Sequence, residues 1–336
     1  MNALRANWAF ALLTTVLISG PTIATEPVTT ANFARAETDW VMAIQAKTGC
    51  FAKLCTEAGP AALDKQQVIR MNRDTPYSRG VFDLTSPVTI TLPEAGGRFQ
   101  SLQVVNQDHF VTLVAYKPGT YTLTRENTGT RYAFVIIRTF IDPASPADVA
   151  AGHKVQAATT ATQASPGSFQ IPDWDQTQRA KLHDILISMA PFVPPTAVKF
   201  GAASEVDPVA HLVGTAAGWG ANPARDAVYL FRGVAANDGT IPHTLTVGKV
   251  PVDGFWSITV YNAQGYYEAP ENAISVNNVT AKPNKDGTTT VRFGGDPKAP
   301  NYLNIMPGWN YTVRLYRPRA EVLDGRWAFP EPVPVK

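Results

Sequence analysis

The feature that most constrains this 336-residue chain is that its β-rich text occurs twice. RDTPY at 73–77 returns as RDAVY at 225–229, and Arg79-Gly80-Val81 returns as Arg232-Gly233-Val234. TITL at 89–92 matches TLTV at 244–247, and FQSLQVVN at 99–106 matches FWSITVYN at 255–262. Further on, Gly119-Thr120 corresponds to Gly287-Thr288, and Tyr132…Arg138 to Tyr311…Arg317. The offsets are 152, 153, 155, 156, 168 and 179. They only increase, as they do when the second copy carries longer loops. Each copy must bury its own core, so the duplication predicts two related β-sandwich domains with a connector between them.

The texture between the repeats supports that division. VFDL, VTITL, RFQSLQVV, FVTLVAY, TYTLTR and RYAFVIIRTF are short β-branched or aromatic runs broken by Pro, Gly and Asn, an antiparallel signature. Helical signals lie outside them. TTANFARAETDWVMAIQAKTG has a Thr29 or Thr30 cap, helical spacing of Phe33, Trp40 and Ile44, and Gly49 as a stop. AALDKQQVIRM predicts a second short helix. Ser145-Pro146 and Asp207-Pro208 each open a helix. DWDQTQRAKLHDILISMA places Leu182, Ile185, Leu186 and Met189 on one face. AATTATQASPGS reads as a low-complexity linker. The expected organisation is a signal peptide at 1–24, a helical segment at 25–71 and a first β-sandwich at 72–142. A helical connector at 143–221 and a second sandwich at 222–336 complete it.

The signal reading rests on Arg5, the apolar run WAFALLTTVLISG and the small residues before a cut near Ala24. The run falls short of the roughly 20 apolar residues of a membrane span. The chain is therefore expected to be exported, periplasmic or secreted, with no membrane span. A formal charge of +2 without a Lys/Arg cluster argues against nucleic acid as a partner. Cys50 and Cys55 lie five apart in GCFAKLC. In an exported chain the simplest reading is a local disulfide, with a metal or redox pair as the sharper alternative.

Two sets of motifs carry a family resemblance. NRDTPYSRGVFDL, FQSLQVVNQDHF, PGTYTLTR and RTFIDPASPADV resemble the N-terminal domain of unknown function catalogued as 1254. GTAAGWGANPARDAVYL, VPVDGFWSITVYNAQGYY, NNVTAK and IMPGWNYTVRLYRPR resemble its usual partner, catalogued as 1214. The resemblance implies a tandem of jelly-roll-like antiparallel β-sandwiches in exported, often oligomeric proteins. It implies no reaction and supplies no catalytic residues.

Function must therefore be sought in the residues. Asn106-Gln107-Asp108-His109 follows a strand at a sandwich rim, where loops gather ligands. Asp108 and His109 form half of an acid/base pair if a turn brings them together, and the second copy has Asn262-Ala263-Gln264-Gly265 instead. Arg73-Asp74 reads as a structural device kept at both domain entrances, in which the two charges pair and the Tyr77 hydroxyl ties the first strand to its neighbour. Taken with Asp108 and His109, it is also a candidate catalytic cluster. Glu205, Asp207 and His211 cluster too, but Asp207 reads as a helix cap and no metal-binding spacing occurs. Gly218-Trp219-Gly220 lacks the pattern of a dinucleotide loop and reads as a bend. Trp219, Tyr266 and Tyr267 join Asn106, Gln107 and Tyr77 as candidate ligand contacts; other C-terminal tryptophans, such as Trp256, read as core. Three functions follow: binding of a small molecule or glycan at the rims or domain interface, hydrolysis or elimination through the Asp/His cluster, and a structural subunit of a homo-oligomer. No cofactor or metal is expected.

Overall fold

A computed structural model describes residues 25–66 and 69–335. The export signal read at 1–24 lies outside them. None of the described helices is long and apolar enough to cross a membrane.

The chain is mainly β. The first half contributes β1 (Cys55–Thr56), β2 (Tyr77–Asp83), β3 (Val88–Leu92), β4 (Gln100–Asn106), β5 (Val111–Ala115), β6 (Gly119–Leu123), β7 (Tyr132–Thr139) and β8 (Thr160–Gln163). They form one sheet ordered β1-β2-β7-β4-β5 and another ordered β6-β3-β8. Phe82, Leu102, Val104, Val135 and Ile137 of the first sheet meet Val88, Ile90 and Leu92 of the second in a fully buried core. The expected linker AATTATQASPGS therefore behaves differently in part. Its Thr160–Gln163 segment alternates half-buried and exposed residues, as an edge strand does, and pairs with β3.

The second half contributes β9 (Ala227–Gly233), β10 (His243–Val247), β11 (Trp256–Tyr261), β12 (Ser275–Asn277), β13 (Thr289–Phe293), β14 (Tyr302–Leu303), β15 (Asn310–Tyr316) and β16 (Val333–Pro334). Their orders are β12-β11-β15-β9 and β14-β13-β10-β16. The duplication is thus a duplication of topology. The row β2-β7-β4-β5 is matched by β9-β15-β11-β12, and β6-β3-β8 by β13-β10-β16. The register refines the sequence alignment. Tyr77 faces Arg138, which faces Ser101 on β4; Tyr229 faces Arg314, which faces Ser257 on β11. Arg138 is therefore equivalent to Arg314, 176 residues on, and not to Arg317. Likewise Gly119 corresponds to Thr289, and the Arg-Gly-Val match is one residue out of register. An odd slip moves every side chain to the other face of a sheet, so only the structural register shows which residues share an environment.

The helices are α1 (Phe33–Lys47), α2 (Arg125–Thr128), α3 (Pro146–Ala158), α4 (Gln176–Met189), α5 (Pro208–Gly218) and α6 (Ala320–Leu323). Ser145 and Asp207 cap α3 and α5 as read, each accepting from a backbone N–H of the first turn. The second short helix shrinks to a 3-10 turn at Leu63–Lys65. The apolar reading of α1 holds for Phe33, which is fully buried, but not for Trp40 and Ile44. Glu37, Thr38 and Asp39 are buried, whereas Trp40 and Ile44 are exposed. Polar groups share the inward face with Phe33, Ala36 and Met42 because each has a partner: Arg179 for Glu37, Trp219 Nε1 for Thr38, and Gln107 with Trp174 for Asp39. On α4 only Leu186 is fully buried; Ile185 and Met189 face outward.

Candidate functional site

The two sandwiches meet through equivalent surfaces. Phe99 and its counterpart Phe255 touch edge to face at 5.2 Å. Phe140 packs on Phe255 at 4.9 Å, and its counterpart Tyr316 packs on Phe99 at 5.3 Å. Residue i touching j′ while i′ touches j is the mark of a two-fold contact, here made within one chain. Aromatic pairs of this kind contribute about 0.5–1.5 kcal/mol each beyond area burial.

The RDTPY and RDAVY entrances belong to this interface. The Asp74 carbonyl accepts from Ile141 N, and the Asp226 carbonyl from Arg317 N, each locking the strand entrance to the end of β7 or β15. Their side chains then cross to the other domain. Asp74 Oδ1 accepts from Asn277 Nδ2 at 3.2 Å, at the end of β12. Asp226 Oδ1 accepts from the Tyr116 hydroxyl at 2.8 Å, just past β5. The repeated Asp is a reciprocal domain tie, and burial pushes the pKa of both carboxyls up. Arg73 and Asp74 do not form the expected salt bridge. The Tyr77 ring lies against Arg138 of the neighbouring strand, with the guanidinium 5.2 Å above it. Arg138 itself reaches Gln103 and the Gly220 carbonyl, tying β7 to β4 and to the connector.

The two entrance arginines part company. Arg225 is about half exposed and pairs with Glu205 at 2.8 Å. Arg73 is 4% exposed, lies 5.0 Å over the Tyr267 ring, and has no carboxylate within salt-bridge distance among the described residues. Its Nε, the Asp74 Oδ2 and the Ser257 Oγ are all buried without a well-formed hydrogen bond. Arg73 lines a cleft of about 490 Å³ walled by 142–144 of the first domain and by the 271–282 and 298–302 loops of the second. Asn277 lies on the same cleft, held by its bond to Asp74.

The NQDH rim goes elsewhere. Asn106 Oδ1 accepts from Asp108 N and Phe110 N, both at 3.0 Å, and Asn262 Oδ1 accepts from Gln264 N and Tyr266 N at the same distance. The asparagine thus builds the same tight turn in both copies. In that turn His109 takes a left-handed φ of +63° where the second copy has Gly265 at +91°. That conformation is uncommon outside glycine. His109 compensates through its ring, which is 1% exposed. Gly220 N–H donates to Nε2 at 2.9 Å, so the ring proton sits on Nδ1 and meets Thr215 Oγ1, also at 2.9 Å. Thr215 in turn donates to the His211 carbonyl. Burial, and then the neighbouring His211 ring, push the His109 pKa down to about 3. Asp108 turns away and binds Arg35 through two 2.7 Å bonds. The expected acid/base pair is therefore not assembled: both imidazole nitrogens are occupied, and the carboxylate serves another partner.

The remaining candidates are dispersed. Gln107 bonds Asp39 at 2.7 Å, and Trp219 stacks on His109 at 5.4 Å while donating to Thr38. Tyr266 sits in the Asn262 turn. Tyr267 is buried beneath Arg73, its hydroxyl donating to the Ala61 carbonyl at 2.7 Å. Trp256 and Trp309 are core residues of the second sandwich. Cys50 and Cys55 form a disulfide with Cα atoms 5.5 Å apart. Glu205, Asp207 and His211 serve an ion pair, a helix cap and two carbonyl contacts. No group of three metal-ligating side chains occurs among the described residues. Reading the sequence missed Asn277, Tyr116 and Arg314. Asn277 opens the NNVTAK motif, which carried the only signal for it.

Residues 51–163, which span β1 to β8, match the family model described as "Protein of unknown function (DUF1254)". Residues 233–320 match "Protein of unknown function (DUF1214)". The chain carries a DUF1254 domain and a DUF1214 domain in tandem. This DUF1254–DUF1214 chain is similar in fold to the crystal structure of the VPA0106 protein from Vibrio parahaemolyticus, with a TM-score of 0.71 at 14% identity over 91% of this chain and 98% of that one. It is also similar to an uncharacterised protein from Burkholderia cenocepacia, with a TM-score of 0.54 at 15% identity over 91% and 87%. No curated protein matches it.

Proposed function

We propose that this tandem DUF1254–DUF1214 protein is an exported binding protein that holds a small molecule in the cleft between its two sandwiches. One observation carries the reading: the cleft, about 490 Å³ in volume, is lined by both domains and has at its wall a buried arginine with no carboxylate within salt-bridge distance among the described residues. That volume is within the range of small-molecule sites, and domain interfaces are where such sites concentrate. The reciprocal aspartate ties fix the two walls relative to one another, so the site is preorganised and little ordering opposes binding.

The test is a thermal-shift screen of the mature chain against monosaccharides, oligosaccharides, aromatic acids and fatty acids, repeated on Asn272→Trp. Asn272 is exposed on the cleft wall, so tryptophan there fills the cleft without removing a buried contact. A ligand at 100 times its Kd adds about 2.7 kcal/mol of stability. The expected outcome is a stabiliser, recovered unchanged after incubation, whose effect disappears in Asn272→Trp. A stabiliser that acts equally on the variant places binding elsewhere and refutes the cleft.

A further inference from the structure

We propose that the ligand of this cleft carries an oxyanion on a hydroxylated skeleton, a sugar acid or a sugar phosphate, and that the Arg73 guanidinium is its anchor. The inference rests on the binding reading above and deepens it. The duplication supplies an internal control. Both copies retain the Arg-Asp entrance, and in both the aspartate ties the domains together. Only the first copy's arginine is withdrawn from solvent. Arg225 faces water and has Glu205; Arg73 is buried on the cleft wall with Nε unpartnered and only the Tyr267 ring beneath it. A buried guanidinium with no carboxylate at salt-bridge distance among the described residues is costly, and a planar oxyanion arriving from the cleft relieves that cost through paired, charge-assisted hydrogen bonds.

The rest of the lining fits the same class. Lys282 and Lys298 add two more cations. Of the two acids on the wall, Asp142 uses Oδ1 to accept from Ala144 N, and Glu271 remains available to a hydroxyl. Asn272, Thr280 and Asn301 supply amides and a hydroxyl, the groups that recognise a polyol.

The experiment is calorimetric titration of the mature chain with glucuronate, glucose 6-phosphate, inorganic phosphate and glucose. At least one of the two sugar anions is expected to bind tenfold or more tightly than glucose. Comparing the two separates carboxylate from phosphate recognition, and phosphate alone reports the share due to the anion. Arg73→Met is expected to weaken the anion by about 10- to 100-fold, the worth of hydrogen bonds to a charged group. Arg73→Lys is expected to retain part of the affinity, and Arg225→Met all of it. Should Arg73→Met fail to fold, Lys298→Ala on the open rim reads the same preference, with a smaller loss. Glucose binding as tightly as both anions, with Asn272→Trp abolishing it, would overturn the oxyanion and leave the cleft reading intact. Anion binding unchanged in Arg73→Met overturns the anchor. Binding of none of the four overturns the ligand class, and the wider screen then decides the cleft by itself.

Discussion

Replacing His109 by asparagine separates its two roles, one conformational and one protonic. Asparagine tolerates the left-handed φ of +63°, so the turn is kept. Its amide cannot satisfy both the Gly220 N–H and Thr215, and one buried group left unpaired costs about 1–3 kcal/mol at pH 7. The protonic effect has the opposite dependence. An imidazole titrates near 6.5 in the unfolded chain and, by burial and the adjacent His211, at about 3 in the fold. Below pH 6.5 the unfolded chain therefore takes up a proton that the folded chain refuses. This stability is complete above 6.5 and is lost progressively as pH falls toward 3. From pH 7 to pH 5 the loss is about 2 kcal/mol. His109→Asn removes that dependence. In urea titrations at both pH values, the variant is expected to be less stable at pH 7 and nearly level with wild type at pH 5. Parallel pH dependence in the two proteins would refute the buried, neutral His109 and return the ring to solvent.

Two further perturbations test other ties. Asp83 is fully buried, which opposes its ionisation, but Arg131 and the Thr85 and Ser168 N–H groups hold its pKa down to about 2. Its contribution is complete above the unfolded value near 4 and is lost as pH falls through 2, so Arg131→Met is expected to cost about 1.5–3 kcal/mol at neutral pH and to raise the acid-denaturation midpoint. At the interface, Asp74→Asn is expected to cost under about 1 kcal/mol because burial already favours the neutral carboxyl and an amide oxygen still accepts from Asn277, whereas Asp74→Ala costs about 1–3 kcal/mol. Equal losses in both variants by differential scanning calorimetry would show that the ionised carboxylate is what the interface needs.

The duplication, the strand texture and two of the helix caps were legible because each is a local signal; α1 is preceded by Asn32, with no side-chain cap, and not by Thr29 or Thr30. Ser145 and Asp207 cap the turn that follows them, and the β runs alternate with turn residues wherever the fold places them. The repeat was legible in kind, and in register at the entrances and along β4 and β11, but not at the Arg-Gly-Val, Gly119 and Arg138 matches. Arg317 looks like the counterpart of Arg138 by spacing, while strand pairing gives Arg314. The face of α1 was misread at Trp40 and Ile44 for a similar reason. A buried Glu37 or Asp39 is stable only beside Arg179 or Gln107, which lie far along the chain. His109 looked like a catalytic imidazole because it follows an aspartate. Nothing in NQDHF indicates that Thr215 and Gly220 occupy both ring nitrogens.

The sequence by itself determined that there are two copies of one β unit, where the helices capped by Ser145 and Asp207 start, and that Cys50 and Cys55 are close enough to bridge. These depend on periodicity, turn chemistry and short spacing, which act over a few residues. Only the tertiary structure decided what the repeated Arg-Asp entrance does. Both aspartates cross to the opposite domain, yet one arginine reaches solvent and Glu205 while the other is enclosed over Tyr267 at a cleft. That difference comes from which surface covers each entrance, a property of how the domains pack and not of the Arg, Asp and Tyr that the two entrances share.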